Sequence, residues 1–481
     1  MTMFDYLEGM GSMSGHITIS IWLFLLLVLV CIFALLDRIL IPSTRWFFRR
    51  RINKVIEEIG TRLDIEMRPF QLTKRQVLID RLAYDPKVIK AIKAHAEKND
   101  MPIEMVQKKV VSYAKEIIPS FNAYFYFRIG YWIAKKIARL LYRVRVGLFE
   151  NDQYKNIDPD STVVFIMNHR SNIDYILVAF LAAEKTTLSY AVGEWAKIWP
   201  LHMLFRFMGA FFVRRNSGND LYRRVLERYI HMATQQGVCQ AVFLEGGLSR
   251  NGKLQEPKLG LIDYMLRGFD PQKDQDIISI PVGINYDRTI EDRSLLRSLN
   301  SDMKKRSLWF IFKTTIGFVL RNLTQMLLSR WRRFGYACVN FGKPISTKAY
   351  SNKHQITFKN LPRKQRFPEI KKLCDALMTE ISDVVPIVPV SLVCHFFLEN
   401  IDKGLIFLDI ENGCRLILQK TKLNGAPVIE TAHSTRKKAI SEAVSLMLLR
   451  GMIKESNGIF SCNDAEIHLL QYYANTLKPW L

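Results

Sequence analysis

The sequence predicts an α/β core over residues 151–348, and three observations carry that reading. Runs rich in β-branched and aromatic residues recur at Val163–Met167, Val238–Leu244 and Ile277–Ile284. Each passes abruptly into a turn of polar residues or glycine, and stretches with helical patterning such as Ile173–Leu181 lie between them. Strands alternating with helices imply a sheet covered by helices, and such sheets place their ligands beyond the carboxyl ends of the strands.

The first strand ends in Asn168-His169-Arg170-Ser171-Asn172-Ile173-Asp174. Ser171 or Asn172 suits the cap of the helix that follows, which puts His169 in the loop and Asp174 in the first turn. From there the carboxylate reaches back to the imidazole. An aspartate on one ring nitrogen fixes the tautomer and leaves the other nitrogen free to take a proton. No Gly-x-Ser-x-Gly elbow and no neighbouring cysteine supplies a nucleophile, so the attacking hydroxyl is expected to belong to the substrate. Alone, the pair fits a structural histidine equally well.

Further motifs follow at the ends of apolar runs. Gly209-Ala-Phe-Phe-Val-Arg214-Arg215 sets two guanidinium groups side by side, which suits phosphate. The second strand runs into Glu245-Gly246-Gly247-Leu248-Ser249-Arg250-Asn251-Gly252-Lys253, where glycines admit close backbone approach and Arg250, Lys253 and Lys258 add positive charge. The third contains Ile280-Pro281-Val282. Each motif singly also reads as a solvated charge cluster or an edge turn; four in fixed order do not.

In that order the blocks resemble those of the glycerophospholipid acyltransferases, nearest to the bacterial glycerol-3-phosphate acyltransferases and their dihydroxyacetone-phosphate acyltransferase relatives. The segments Phe121–Trp132 and Tyr336–Pro344 extend the resemblance, which covers roughly residues 60–480. It implies an α/β acyltransferase core, a mixed sheet with flanking helices. It also implies a reaction in which an acyl chain passes from acyl-CoA or acyl carrier protein to the sn-1 hydroxyl of glycerol 3-phosphate, giving lysophosphatidic acid. His169 would be the general base and Asp174 its orienting partner. Arg214 and Arg215, with Arg250, would hold the phosphate; Glu245, Gly246, Gly247, Ser249 and Arg250 would shape the acceptor site, and Pro281 would help line it. Leu248 departs from the arginine that many members carry there, which keeps dihydroxyacetone phosphate open as acceptor; lysophosphatidic acid is the nearer alternative, although the acyltransferases that use it are usually shorter chains. A thioester is already activated, so no cofactor and no metal is expected.

Composition agrees with anionic partners. The 481 residues carry a net charge of +24, which fits lipid headgroups, phosphates, CoA or an acidic carrier protein. Nucleic acid would fit the same charge, but Lys437 and Lys438 ahead of an apolar helix are thin support for base reading, and nucleic acid is disfavoured as a partner. Seven dispersed cysteines form no Cys-x-x-Cys and no Cys/His cluster, which points to reduced thiols and a cytoplasmic setting. The other eight histidines lie outside any catalytic pattern and read as structural.

From Ile17 to Leu36 the chain is uncharged and nearly all apolar, long enough to span a bilayer. The basic residues follow it, from Arg38 to Lys54, so one uncleaved N-terminal span is expected, with the body on the cytoplasmic side of a bacterial inner membrane. Ala123–Arg145 and Trp309–Arg333 mix aromatic and basic residues in the manner of helices lying in a headgroup layer, although an amphipathic core helix has the same pattern. The expected organisation is an anchor with a basic juxtamembrane stretch at 1–50, a helical N-terminal region at 51–150, the catalytic core at 151–348, a polar linker at 349–379 and a smaller α+β region at 380–481. In the last, a helix over Lys437–Leu449 followed by a Gly-centred hairpin suggests a winged-helix-like unit.

Overall fold

Three of the predicted strands lie side by side at the centre of one sheet. The computed structural model describes residues 68–147, 157–182, 187–193, 201–214, 217–299, 333–428 and 433–481, together with Ile21, Val28 and Tyr154. Met1–Arg62 and Leu63–Leu481 are separate units, and every element of the sheet belongs to the second. Apart from Ile21 and Val28, the expected span Ile17–Leu36 lies outside the described residues, as does Trp309–Arg333 apart from Arg333.

The sheet consists of β1 (Arg143–Gly147), β2 (Thr162–Met167), β3 (Ser189–Val192), β4 (Ala210–Phe212), β5 (Gln240–Phe243), β6 (Ile277–Tyr286), β7 (Tyr336–Phe341) and β8 (Ile345–Ser346). Its order is β1-β7-β6-β2-β5-β3-β4, with β8 also on β6. From β6 to β4 neighbouring strands run parallel; β7 and β8 run antiparallel to β6, and β1 runs parallel to β7. The sheet is therefore mixed, as expected.

Residue type explains the centre. All ten residues of β6 are buried, and apart from Ser279 and Asn285 the run is apolar or aromatic, as in a strand covered on both faces. Pro281 can sit in it because β8 pairs with Ile278 and Ser279 while β7 pairs from Val282 onward, so the proline falls in the gap between its two antiparallel partners.

Two cores sandwich the sheet. Val164, Ile166, Val242 and Leu244 face helices α1 (Arg75–Ala83), α2 (Pro86–Asn99) and α3 (Ile103–Ile117) within one cluster. Met167, Ala241, Val282, Ile284 and Tyr286 point the other way, against α4 (Tyr131–Leu141) and α5 (Asp174–Ala182). Short α6 (Leu201–Phe207) adds Phe205 to the second face, and α7 (Asp220–Gln235) and α8 (Gly260–Leu266) add Tyr222, Val225, Ile262 and Met265 to the first. The alternation is the two-residue period of a strand.

Beyond β6 come α9 (Asp292–Arg297), α10 (Thr347–His354) and α11 (Arg363–Val384). The stretch 349–379, expected as a linker, is folded: α11 lays Ile370, Leu373, Leu377 and Ile381 into the first core. Charges such as Arg363 and Lys364 occupy its other face, and the local density of lysine and arginine masked the helical period. Pro362 just before it supplies the stop that marks its start.

A third cluster holds the carboxyl-terminal region: α12 (Pro389–Glu399), α13 (Phe407–Leu423), α14 (His433–Leu449) and α15 (Ile467–Ala474) around a hairpin of β9 (Ile453–Ser456) and β10 (Ile459–Cys462). Asn457 and Gly458 both have positive φ, the two-residue turn that matches strand twist, so the expected helix and hairpin are both present. Among the described residues no single helix is long and apolar enough to cross a membrane. The pair α11 and α12, bent by 89°, passes that test only together, and their apolar residues fill the cores just described.

Backbone contact sets one steric limit. A Cβ on Gly283 would lie 2.4 Å from the carbonyl oxygen of Val384 at the end of α11. Gly283→Ala is expected to lower the urea midpoint by the equivalent of about 1–3 kcal/mol, a cost typical of overpacking; an unchanged midpoint would show that α11 is free to move away from the sheet.

Candidate active site

His169 and Asp174 meet as the spacing requires. The chain leaves β2, turns through 168–173 and enters α5 at Asp174, so the imidazole Nδ1 lies 2.9 Å from Asp174 Oδ2. The same oxygen accepts the backbone N–H of Arg170 at 2.7 Å and of Ser171 at 3.0 Å, while Oδ1 accepts the Tyr286 hydroxyl at 2.6 Å. A carboxylate with no exposed surface is costly unless its lone pairs are used, and here four donors use them. With Asp174 accepting at Nδ1, that nitrogen carries the proton and Nε2 is left with a lone pair.

The imidazole is 4.0 Å from the Phe243 ring in a stacked pose and 5.4 Å from Tyr175 edge-on. Both rings belong to the face covered by α4 and α5, so the imidazole stands on that face. Asn168 ties the turn to β6 by two bonds, donating to the Ile284 carbonyl at 2.9 Å and accepting its N–H at 2.8 Å. Glu291 accepts from the Ser171 hydroxyl at 2.7 Å and from the Asn172 side chain at 3.1 Å. Ser171 thus serves Glu291 and only weakly caps the helix, its hydroxyl accepting the Ile173 N–H at 3.3 Å.

The second loop has a structural task at the same place. Glu245 Oε1 accepts the His169 N–H at 2.8 Å and Oε2 accepts the Gln255 N–H at 2.8 Å. Burial pushes its carboxyl up to about 7, against the opposing pull of those two N–H groups. The Ser249 N–H donates to the His169 carbonyl at 2.9 Å, and its hydroxyl to the Lys253 carbonyl at 2.6 Å. Gly246 has a φ of +66°, and a Cβ there would strike the Lys258 stem at 2.7 Å. Gly247 is half-buried in the same turn, and Arg250 is exposed on it with no ion-pair partner among the described residues.

The remaining expected residues are placed differently. Arg214 does not present an open fork: its Nε and Nη2 bind both oxygens of Glu116, at 2.9 and 2.5 Å, and its guanidinium stacks near Tyr113 and Tyr222. Arg215 lies outside the described residues. Pro281 alternates with Val282 and so faces away from the imidazole, toward Gly342 and the end of α11. It shapes the sheet and does not line the His169 side.

Sequence reading missed Tyr286, Glu291 and Arg170. Tyr286 could have been suspected as the last residue of the strand begun by Ile-Pro-Val; nothing local marks Glu291. Arg170 is buried, donates to the Gly252 carbonyl at 2.6 Å and lies 4.8 Å from the Tyr472 ring, which joins the turn to α15. Among the described residues no cluster of histidine, cysteine, aspartate or glutamate is arranged to hold a metal.

Parts of the chain are similar to known proteins. Residues 149–285 match the family described as Acyltransferase, and residues 321–478 match the one described as Glycerol-3-phosphate acyltransferase C-terminal region. A curated glycerol-3-phosphate acyltransferase of Pseudomonas entomophila is 28% identical over 84% of this chain and 49% of its own length. One from Aeromonas hydrophila is 26% identical over 85% of this chain and 50% of its own. A crystal structure of a 1-acyl-sn-glycerophosphate acyltransferase from Thermotoga maritima is 15% identical, covering 63% of this chain and 98% of that one at a TM-score of 0.29. The chain is thus similar to curated glycerol-3-phosphate acyltransferases over most of its length, and it spans about half the length of the curated relatives it matches.

The two buried carboxyls give a pH signature. Asp287, whose oxygens accept the N–H groups of Tyr336 at 2.7 Å and Val390 at 2.9 Å, is also pushed by burial to about 7. Between their ordinary values of 4.5 and 3.8 and about 7, the folded protein retains protons that the unfolded chain has released. The stability these groups contribute therefore falls as pH rises through that window. Denaturation of the wild type and of a Glu245→Gln/Asp287→Asn variant at pH 5 and pH 8 should show the steeper loss in the wild type; parallel pH dependence would show that neither group holds its proton.

Proposed function

We infer that this chain transfers an acyl group from a thioester, acyl-CoA or acyl carrier protein, to the sn-1 hydroxyl of glycerol 3-phosphate, producing lysophosphatidic acid in the first step of phospholipid synthesis. The observation that carries the inference is the buried His169–Asp174 pair, with Nδ1 committed to the carboxylate and Nε2 left as the base. Nε2 takes the proton as the hydroxyl oxygen forms its bond to the thioester carbonyl carbon. The carbon–sulfur bond then breaks, and the departing thiolate receives that proton. Asp174 stabilises the imidazolium between the two steps without itself being protonated. The similarity to glycerol-3-phosphate acyltransferases supports this acceptor; dihydroxyacetone phosphate, which Leu248 keeps open, and lysophosphatidic acid are the alternatives.

In this proposal Arg215 and Arg250 bind the phosphate, with Arg214 joining once its fork leaves Glu116. Glu245, Gly246, Gly247 and Ser249 hold the loop that carries Arg250, and Glu245 also fixes the backbone of His169. The activated thioester makes a metal or organic cofactor unnecessary. The anchor at Ile17–Leu36 would keep the catalytic region on the cytoplasmic side of a bacterial inner membrane. Helix α4 supports placement at a lipid surface: it buries Ala134 and Ala138 while Trp132 is 58% exposed, with Lys136 and Arg139 on the outside.

Membranes carrying this chain, supplied with labelled palmitoyl-CoA or palmitoyl-carrier protein, are expected to convert glycerol 3-phosphate to labelled lysophosphatidic acid, and His169→Ala to lose about 10²–10⁴-fold of that rate. Full activity in His169→Ala would remove it as the base, and label appearing only with another acceptor would replace the substrate. Arg214→Ala separates two roles. A raised KM for glycerol 3-phosphate at unchanged melting temperature assigns it to phosphate; a lower melting temperature at unchanged KM, matched by Glu116→Ala, assigns it to the fold.

A further inference from the structure

An apolar cavity of about 110 Å³ lies where the β1–β7 edge of the sheet meets the carboxyl-terminal helices, on the opposite face from the imidazole. The face follows from the strand period. Ala337 and Val339 of β7 belong to the core that contains Tyr175 and packs Phe243, so Cys338 between them points away, into the cavity. Its floor comes from Ile387 and Leu392 before and within α12, Cys414 and Leu418 of α13, and Ile440 of α14. Both thiols act as apolar surface, since burial pushes Cys414 up to about 12 and Cys338 higher still.

The rim has the opposite character. Arg145 of β1, Arg415 of α13, and Arg436 and Lys437 of α14 surround the opening, and all four are exposed. Glu411 is the single carboxylate among the lining residues, and it is bound to Lys437 at 3.3 Å. The three arginines have no ion-pair partner among the described residues, so the mouth keeps three positive charges over an apolar floor. Apolar cavities of comparable size, about 150 Å³, stay dry and take up small hydrocarbons. Surplus guanidinium groups at the entrance select a carboxylate or phosphate head.

We propose that this cavity is a binding site for a single-chain amphipathic anion, with the end of an acyl chain on the Leu392–Cys414–Ile440 floor and a carboxylate or phosphate monoester at Arg145, Arg415 and Arg436. The site is separate from the transfer chemistry and does not depend on the reaction proposed above. A cation of the same chain length is rejected by the rim, and an uncharged alcohol gains only the floor.

Equilibrium dialysis of the full chain in zwitterionic lipid nanodiscs, with labelled octanoate, octyl phosphate and octylammonium, tests it. Saturable uptake of one octanoate or one octyl phosphate per chain, with none of octylammonium, is expected, and the tighter of the two heads identifies the source as a free fatty acid or a lysophosphatidate-like lipid. Binding should be retained in His169→Ala and weakened more than tenfold in Arg415→Glu/Arg436→Glu, whose sites are on the surface and leave the core intact. Leu418→Trp, which fills the cavity, should abolish it. Uptake of octylammonium equal to that of octanoate, or anion binding unaffected by the double charge reversal, would overturn the assignment.

Discussion

The buried carboxylate of Asp174 is the constraint on which the rest of this site depends. An ionised group without solvent is tolerated only where donors surround it. Supplying them requires the 168–173 turn to fold back on itself, presenting the N–H groups of Arg170 and Ser171 and the imidazole at once, and requires β6 to end with Tyr286 opposite. Once these are met, the position and tautomer of His169 are settled. Glu245 imposes a second, similar demand from β5, since its two oxygens each need an N–H and one of them belongs to His169. Three strand ends are thereby locked to one another by two carboxylates.

The same economy joins the sheet to the carboxyl-terminal helices. Asp287, one residue beyond Tyr286, holds the start of β7 and the first turn of α12 together. Five residues on, Asp292 accepts from Arg450 at 2.5 Å and from the Tyr473 hydroxyl, and the Thr289 N–H donates to the oxygen of that same hydroxyl at 3.1 Å. Arg170 stacks on Tyr472. The region matching the glycerol-3-phosphate acyltransferase C-terminal family is therefore fastened to the turn that holds His169, and a disturbance of α15 has a short path to that turn.

Legibility in the sequence tracked the range of the interaction. Strands β2, β5 and β6 could be read because burial on both faces demands continuous β-branched runs. The His169–Asp174 contact could be read because five residues of turn and helix fix it locally. The linker at 349–379 was misread because a helix with one apolar stripe and many lysines and arginines resembles a solvated loop in composition. Arg214 was read as an open phosphate fork because nothing near it shows that Glu116, 98 residues earlier, engages its Nε and Nη2.

What the sequence determined by itself is the pairing in the turn: an imidazole, the carboxylate that meets its Nδ1 and the strand end that presents them, all set by residues within a few positions of one another. Only the tertiary structure decided the order of the strands, the roles of Glu245 and Tyr286 as partners of that turn, the removal of Pro281 to the far face and the cationic mouth over an apolar floor. The contacts of Glu245 and Tyr286 with the turn join residues 76 and 112 positions apart, and a hydrogen bond at that range leaves no period or spacing in the chain.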